Sequence, residues 1–185
     1  MSSDRAAASY RNLDRIRKSI VDFTAAILKW LETTPLSIFI LESEWAFPTI
    51  ESVHVIAIAL VIGTISIVDL RLLGLASTKR GFVELSREVL PWTWLTFAVA
   101  AIAGLLLFIS HATEYFNNTA FRIKLVLIML AGLNMIYFHL FTCRNLSEWD
   151  RGSAIPLAGR IAGGISLVCW IAVVGFGRWI GFSMS

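Results

Sequence analysis

The stretch Ser52–Gly74, SVHVIAIALVIGTISIVDLRLLG, decides the fold of this chain, because its middle is apolar for as long as a bilayer is thick. Residues 53–68 form that apolar middle. Polar groups bracket it at both ends, with Glu51 and His54 on one side and Asp69 and Arg71 on the other. A helix needs about 20 mainly apolar residues to cross the hydrocarbon core of a membrane. The stretch therefore predicts a membrane-spanning helix near 47–73.

The composition extends this interpretation to the whole chain. Of its 185 residues, 57% are hydrophobic and only 16% are charged, whereas soluble domains contain about 25% charged residues. We predict an all-α fold, an integral membrane four-helix bundle that occupies 46–185. Its spans lie near 47–73, 89–112, 121–144 and 156–182. The loops are too short for a second folded unit, and the lipid bilayer is the expected partner.

Nucleic acid is not an expected partner. The net charge is only +3, and the basic residues lie at the membrane edges and in the N-terminal segment rather than along one continuous face.

The N-terminal segment, 1–45, is predicted to be an amphipathic helix lying in the membrane interface. A span through 20–41 would bury Asp22, Lys29 and Glu32, at about 2.5–3.5 kcal/mol for each charge near mid-membrane. Apolar residues instead recur at helical spacing, with polar residues opposite: Ile20, Phe23, Ile27, Leu28 and Leu31. Packing of this stripe on a protein partner is the alternative.

The distribution of basic residues predicts the orientation. Positive charges concentrate in the loops after the first and third spans, at Arg71, Lys79, Arg80, Arg87, Arg144, Arg151 and Arg160, against Arg122 and Lys124 in the remaining loop. The positive-inside rule places the two richer loops in the cytoplasm. The N-terminal segment then lies on the outer side.

Small residues recur four positions apart on two spans, which is typical of close helix packing in lipid. The pairs are Ala100 with Gly104, Gly159 with Gly163, and Gly177 with Gly181. We interpret all three as helix contacts rather than ligand sites.

Two histidines fall near the outer ends of the first two spans. His54 follows Glu51 by three residues, and His111 precedes Glu114 by three, so each carboxylate shares a helix face with its histidine. Since the two helices are antiparallel, we expect His54 and His111 to lie at similar depth and to face one another.

This pair allows two chemistries and one structural alternative. Two imidazoles can ligate the iron of a b-type haem used for electron transfer, with Arg178, Arg122 or Lys124 available for its propionates. His54, His111, Glu51 and Glu114 can instead hold a transition metal such as copper, iron or zinc. In the third case each histidine only hydrogen-bonds to lipid headgroups, water or a neighbouring carboxylate, and no cofactor is bound. The chain is then a non-enzymatic accessory or scaffolding subunit, or part of a permeation path.

A third histidine, His139, lies on the opposite side of the membrane. We predict a structural polar cluster of Asp69, Arg71 and His139 that ties the first span to the third. A second bis-histidine haem lacks a fourth histidine, because the chain contains three.

Three motifs resemble a family of small bacterial inner-membrane proteins of unknown function: Ser52–Gly74, NNTAFRIKLVLIMLAGLN at 117–134, and GRWIG at 177–181. The likeness extends over most of residues 30–185. It implies a bacterial inner (cytoplasmic) membrane location and a multipass helical fold, and it supplies no activity. The layout is also loosely similar to four-helix b-type cytochromes and to the membrane domains of copper-resistance proteins. A homo-oligomer or a larger membrane complex is compatible with this resemblance.

Overall fold

The computed structural model describes residues 2–77, 81–138, 140 and 155–183, and it gives side chains from residue 12 onward. Within these residues the chain forms α-helices and no strand, which confirms the predicted all-α fold. The helices are α1 (Ser2–Glu32), α2 (Pro35–Glu42), α3 (Ala46–Leu72), α4 (Phe82–Ser110), α5 (Ala112–Asn117), α6 (Thr119–Tyr137) and α7 (Leu157–Ser183).

Four of these helices, α3, α4, α6 and α7, are long and apolar enough to cross a membrane. Even the shortest, α6, has 19 residues and therefore spans about 28 Å at 1.5 Å per residue. Between 11% and 33% of the apolar part of each helix is buried inside the protein. The remaining apolar surface faces outward, which fits contact with lipid rather than water.

The spans pack in a definite order. The central helix α3 packs along α4 on one side and along α7 on the other, and α7 also packs along α6. On the remaining side, α4 and α6 meet through side chains near the end of the bundle that carries His111, which we call the outer end after the predicted orientation. The Phe108 ring stacks there on Phe121 with centroids 5.5 Å apart. Over their described residues, the backbones of α4 and α6 do not approach each other closely along their length, whereas those of the other neighbouring spans do.

The inner half is held by close backbone approach and a small apolar core. A methyl group added to Gly163 on α7 would lie 3.0 Å from the backbone oxygen of Asp69 and 3.0 Å from Leu72 Cβ on α3. The buried core at this end consists of Leu72, Phe82, Phe138 and Ala162. Gly163 therefore serves as the small-residue contact that its spacing predicts.

The second span starts earlier than residue 89, the beginning predicted from the sequence. α4 begins at Phe82 and carries Pro91 inside the helix. The additional turns form because Phe82 and Leu85 are buried, with Phe82 edge-on to Phe138 at 5.7 Å. This apolar contact fixes the start of the helix.

The N-terminal pair α1 and α2 is pinned to the outer end of the bundle. The helices meet at a 57° bend, where Pro35 suits the first turn of α2 and the Thr34 side chain caps it. Ser37 is fully buried and donates to the Ile109 carbonyl at 3.1 Å. Taken together, residues 12–42 are also long and apolar enough to form a broken span or a re-entrant loop.

The apolar stripe predicted on α1 is partly buried and partly exposed in the structure. Leu28 is buried, whereas Ile20, Phe23 and Ile27 are exposed. The exposed part is the surface available to an interface, and the interfacial location of α1 stays a prediction.

Candidate functional site

His54 occupies a slot on α4 that a glycine creates. Its Nδ1 lies 2.8 Å from the Ala100 carbonyl oxygen. A methyl group on Gly104 would lie only 2.7 Å from the imidazole Cε1, so the ring reaches this carbonyl because Gly104 has no side chain. The sequence predicts a helix contact for Ala100 and Gly104, whereas the structure uses the missing side chain to admit an imidazole.

The hydrogen bond decides the tautomer of His54. A carbonyl oxygen only accepts, so Nδ1 must carry the proton and donate. In the neutral imidazole, Nε2 then keeps its lone pair. Histidines that ligate metals are typically held in this way, with one ring nitrogen donating to a carbonyl and the other free for the metal.

Lys124 on α6 shares the outer half of the bundle with His54. Its side chain lies against α7 at Gly177, where an added methyl group would be 3.6 Å from Nζ. The Lys124 charge interacts electrostatically with His54. At this distance an added methyl group would make an ordinary van der Waals contact, so Lys124 does not depend on Gly177 as His54 depends on Gly104. Two basic groups from α3 and α6 therefore share the interior of one half of the bundle.

The other two cations predicted to assist a cofactor lie at the surface. Arg122 is exposed and donates to Thr119 Oγ1 at 3.4 Å. Arg178 is exposed and lies over the Phe182 ring at 5.2 Å. Of the three predicted cations, Lys124 is the one that interacts with His54.

His111 lies at the junction of α4 and α5, away from the His54 slot. Its ring is edge-on to Phe47 with centroids 5.6 Å apart. Phe47 precedes His54 by seven residues on α3, which is about 10 Å along a helix. The structure therefore brings His111 to the level of Phe47, about two turns farther out than the expected meeting point with His54.

The hydrogen bonds of His111 also fix its tautomer. Ser110 Oγ donates to the Leu107 carbonyl at 2.7 Å and lies 3.2 Å from His111 Nδ1. The hydroxyl has a single hydrogen, so Nδ1–H must be the donor in the second contact. Nε2 of the neutral ring is left as an acceptor.

The two predicted carboxylates, Glu51 and Glu114, are exposed, and the charges of both act on Tyr115. Burial, and then these two charges, raises the pKa of the Tyr115 hydroxyl. In the part of the chain that the structure describes, no three or more His, Cys, Asp or Glu side chains form a group suited to a metal ion. The four residues predicted for a simple metal site are therefore not gathered into one ligand set.

An aromatic cluster that sequence reasoning missed closes the outer end of the site. It consists of Phe108, Tyr115 and Phe121, with centroids 5.4–6.4 Å apart. Phe108 is four residues beyond Gly104, and Phe121 is three before Lys124, so the cluster lies about one helical turn outside the two basic groups. The spacing of Phe108 from Gly104 and of Phe121 from Lys124 can be read from the sequence, but only once Gly104 is known to face His54.

The inner polar residues form a separate region. Asp69 is 4% exposed and hydrogen-bonds the Ser166 side chain, while its Oδ2 lacks a partner within the described residues. It is 15 residues from His54, about 22 Å along α3. The intervening positions on this face are apolar, namely Ala57, Val61 and Ile65. The predicted contact of Asp69 with His139 falls outside the described residues, because His139 is not among them.

A family model described as a family of unknown function, DUF6644, matches residues 27–183. No curated protein and no solved structure matches the chain.

Proposed function

The chain belongs to this family of unknown function, and on that premise we propose that it binds b-type haem at His54 and carries electrons in the bacterial inner membrane. The observation that supports the proposal is the tautomer of His54. Its Nδ1–H is committed to Ala100, which leaves Nε2 as a ligand atom within an apolar span. Ionisable residues at such depth are expensive and mark functional sites by default.

The surroundings of His54 suit an amphipathic macrocycle. Lys124 supplies a positive charge for a propionate, and Phe108 and Phe121 supply apolar surface on the outer side. The α4 and α6 backbones are not packed together along this side, so a flat apolar group can enter between them without separating a tight helix pair. When bound, haem iron would supply one-electron chemistry between its ferric and ferrous states.

His111 is the weaker half of the predicted ligand pair. It lies about two turns farther out, at the junction of α4 and α5 rather than inside a span. We therefore assign the protein ligand to His54, and ligation by His111 as well would require the outer end of α4 to shift inward.

An absorption spectrum of the protein purified in mild detergent tests this proposal. We expect a Soret band that is lost in His54→Ala and kept in His111→Ala, the matched control. Loss of the band in both variants would indicate ligation by both histidines. A wild-type protein that stays colourless and free of iron when expressed with haem supplied would contradict the proposal.

The alternative function, a non-enzymatic accessory subunit, is supported over a transport role by the apolar face of α3 between His54 and Asp69. Since about 22 Å of apolar helix face separates His54 from Asp69, this face of α3 offers no continuous polar path for a solute. A colourless protein that co-purifies stoichiometrically with a larger membrane complex would favour this alternative. Cofactor-free solute flux in liposomes would contradict it.

A further inference from the structure

An open cleft of about 660 Å³ lies at the outer end of the bundle, where the joint between α1 and α2 meets α5 and the end of α7. Residues from five helices and their junctions line it, and its polar lining includes Glu32, His111, Thr113, Glu114, Asn117 and Asn118. Among the residues whose side chains the structure describes, no lysine or arginine lines the cleft. It lies about two turns outside His54 and does not depend on a cofactor there.

Several polar groups in the cleft already donate hydrogen bonds within the protein. Asn117 Nδ2 donates to the Thr113 carbonyl at 2.9 Å, and Asn118 Nδ2 donates to Ser183 Oγ at 2.8 Å, which leaves one N–H on each amide. His111 Nδ1–H is committed to Ser110. Ser183 donates its hydroxyl hydrogen to the Ile180 carbonyl.

Several hydrogen-bond acceptors that line the cleft remain available to a ligand. Glu32 receives the Thr113 N–H on Oε1 at 2.7 Å, which leaves its second carboxylate oxygen for a ligand. The Glu114 carboxylate is exposed, and His111 Nε2 retains a lone pair. The Thr113 hydroxyl is buried and lacks a partner among the described residues. A ligand that supplies donors and positive charge complements this arrangement.

We propose that the cleft binds a primary ammonium group, either the ethanolamine headgroup of a membrane lipid or a free amine. An ammonium has three N–H donors and one positive charge, and it can bond both carboxylates at once. A bare metal ion is a poorer fit, because the described residues form no group of three or more metal-ligating side chains. The volume also suits a headgroup better than a single ion.

Native mass spectrometry of the full chain in detergent tests this inference with two lipids. Phosphatidylethanolamine carries N–H donors, whereas phosphatidylcholine has the same charge and none. We expect about tenfold tighter binding of the ethanolamine lipid, as one charge-assisted hydrogen bond would give. Equal binding of the two lipids would overturn the proposal.

Two matched variants locate the effect. Glu114→Gln removes a carboxylate that lines the cleft, and Glu51→Gln removes another exposed carboxylate that does not. The preference should fall in the first variant and remain in the second. A preference unchanged in Glu114→Gln, or lost equally in both variants, would overturn the proposal.

Free ethanolamine distinguishes the two sources of the ammonium group. If it displaces the bound lipid at millimolar concentration, the cleft recognises the amine itself. If the lipid stays bound, the cleft requires the whole headgroup and its chains. The haem proposal is unaffected by either result, since it is tested through His54.

Discussion

The outer and inner halves of the bundle use glycine for different purposes. In the outer half, Gly104 makes room for the imidazole of His54. In the inner half, Gly163 makes room for the backbone of α3. The same spacing of small residues therefore builds a site in one half and a helix seam in the other. Which of the two a glycine does depends on the residue that faces it.

The largest loss of stability is expected at the inner seam. Gly163→Ala places a methyl group 3.0 Å from the Asp69 backbone oxygen, and backbone atoms of packed helices cannot easily yield. We expect a loss of about 1–3 kcal/mol, as in other overpacked cores, seen as a lower midpoint of thermal unfolding in detergent. Gly175→Ala is the control, because its added methyl group meets no atom within 4 Å. Equal midpoints for the two variants would remove the distinction between the halves.

Gly104→Ala should change the site more than the fold. The methyl group displaces the imidazole of His54, which is the free end of a side chain and can move, so we expect a smaller loss of stability than at Gly163. The displaced ring should react faster with diethylpyrocarbonate, as measured by mass spectrometry of the modified peptide. If His54 still reacts slowly in Gly104→Ala, then Gly104 does not provide the space that the imidazole occupies.

A smaller effect is expected from the polar contact between α6 and α7. Asn134 Nδ2 donates to the Ala162 carbonyl at 2.9 Å, and side-chain hydrogen bonds between membrane helices contribute about 0.6 kcal/mol on average. Asn134→Leu should therefore lower the unfolding midpoint slightly and leave the labelling of His54 unchanged. A loss as large as that of Gly163→Ala would contradict this ranking.

The smallest effect concerns Tyr115. Its pKa is raised in the folded chain by burial and then by Glu51 and Glu114, so the folded state disfavours the phenolate. This contribution to stability is present below the unfolded pKa of about 10 and is lost as the pH rises through the folded value. Ultraviolet titration should show a late-ionising tyrosine component, and Tyr115→Phe should abolish it. Early ionisation of all three tyrosines would be the contrary result.

The sequence predicts the fold well because the apolar stretches are long. Ser52–Gly74 alone indicates a span, and all four predicted spans correspond to long apolar helices. The start of the second span is less predictable, because it depends on contact of Phe82 with Phe138, which are distant in the chain.

The candidate site was predictable only in part. The sequence identifies His54 as an ionisable residue at depth and Lys124 among three cations. It cannot give the rotational phase that turns Lys124 toward the interior and leaves Arg122 exposed, because phase depends on how the helices pack. The equal depth expected for His54 and His111 is also wrong, because Ala100 and Gly104 of α4 lie at the level of His54, whereas His111 lies at the level of Phe47.

Titration of haemin into purified cofactor-free protein, followed at the Soret band, tests the central claim most directly. The account predicts saturation at a single equivalent per chain for the wild type and for His111→Ala, and no saturable Soret shift for His54→Ala. The same binding curve for His54→Ala and the wild type would contradict it.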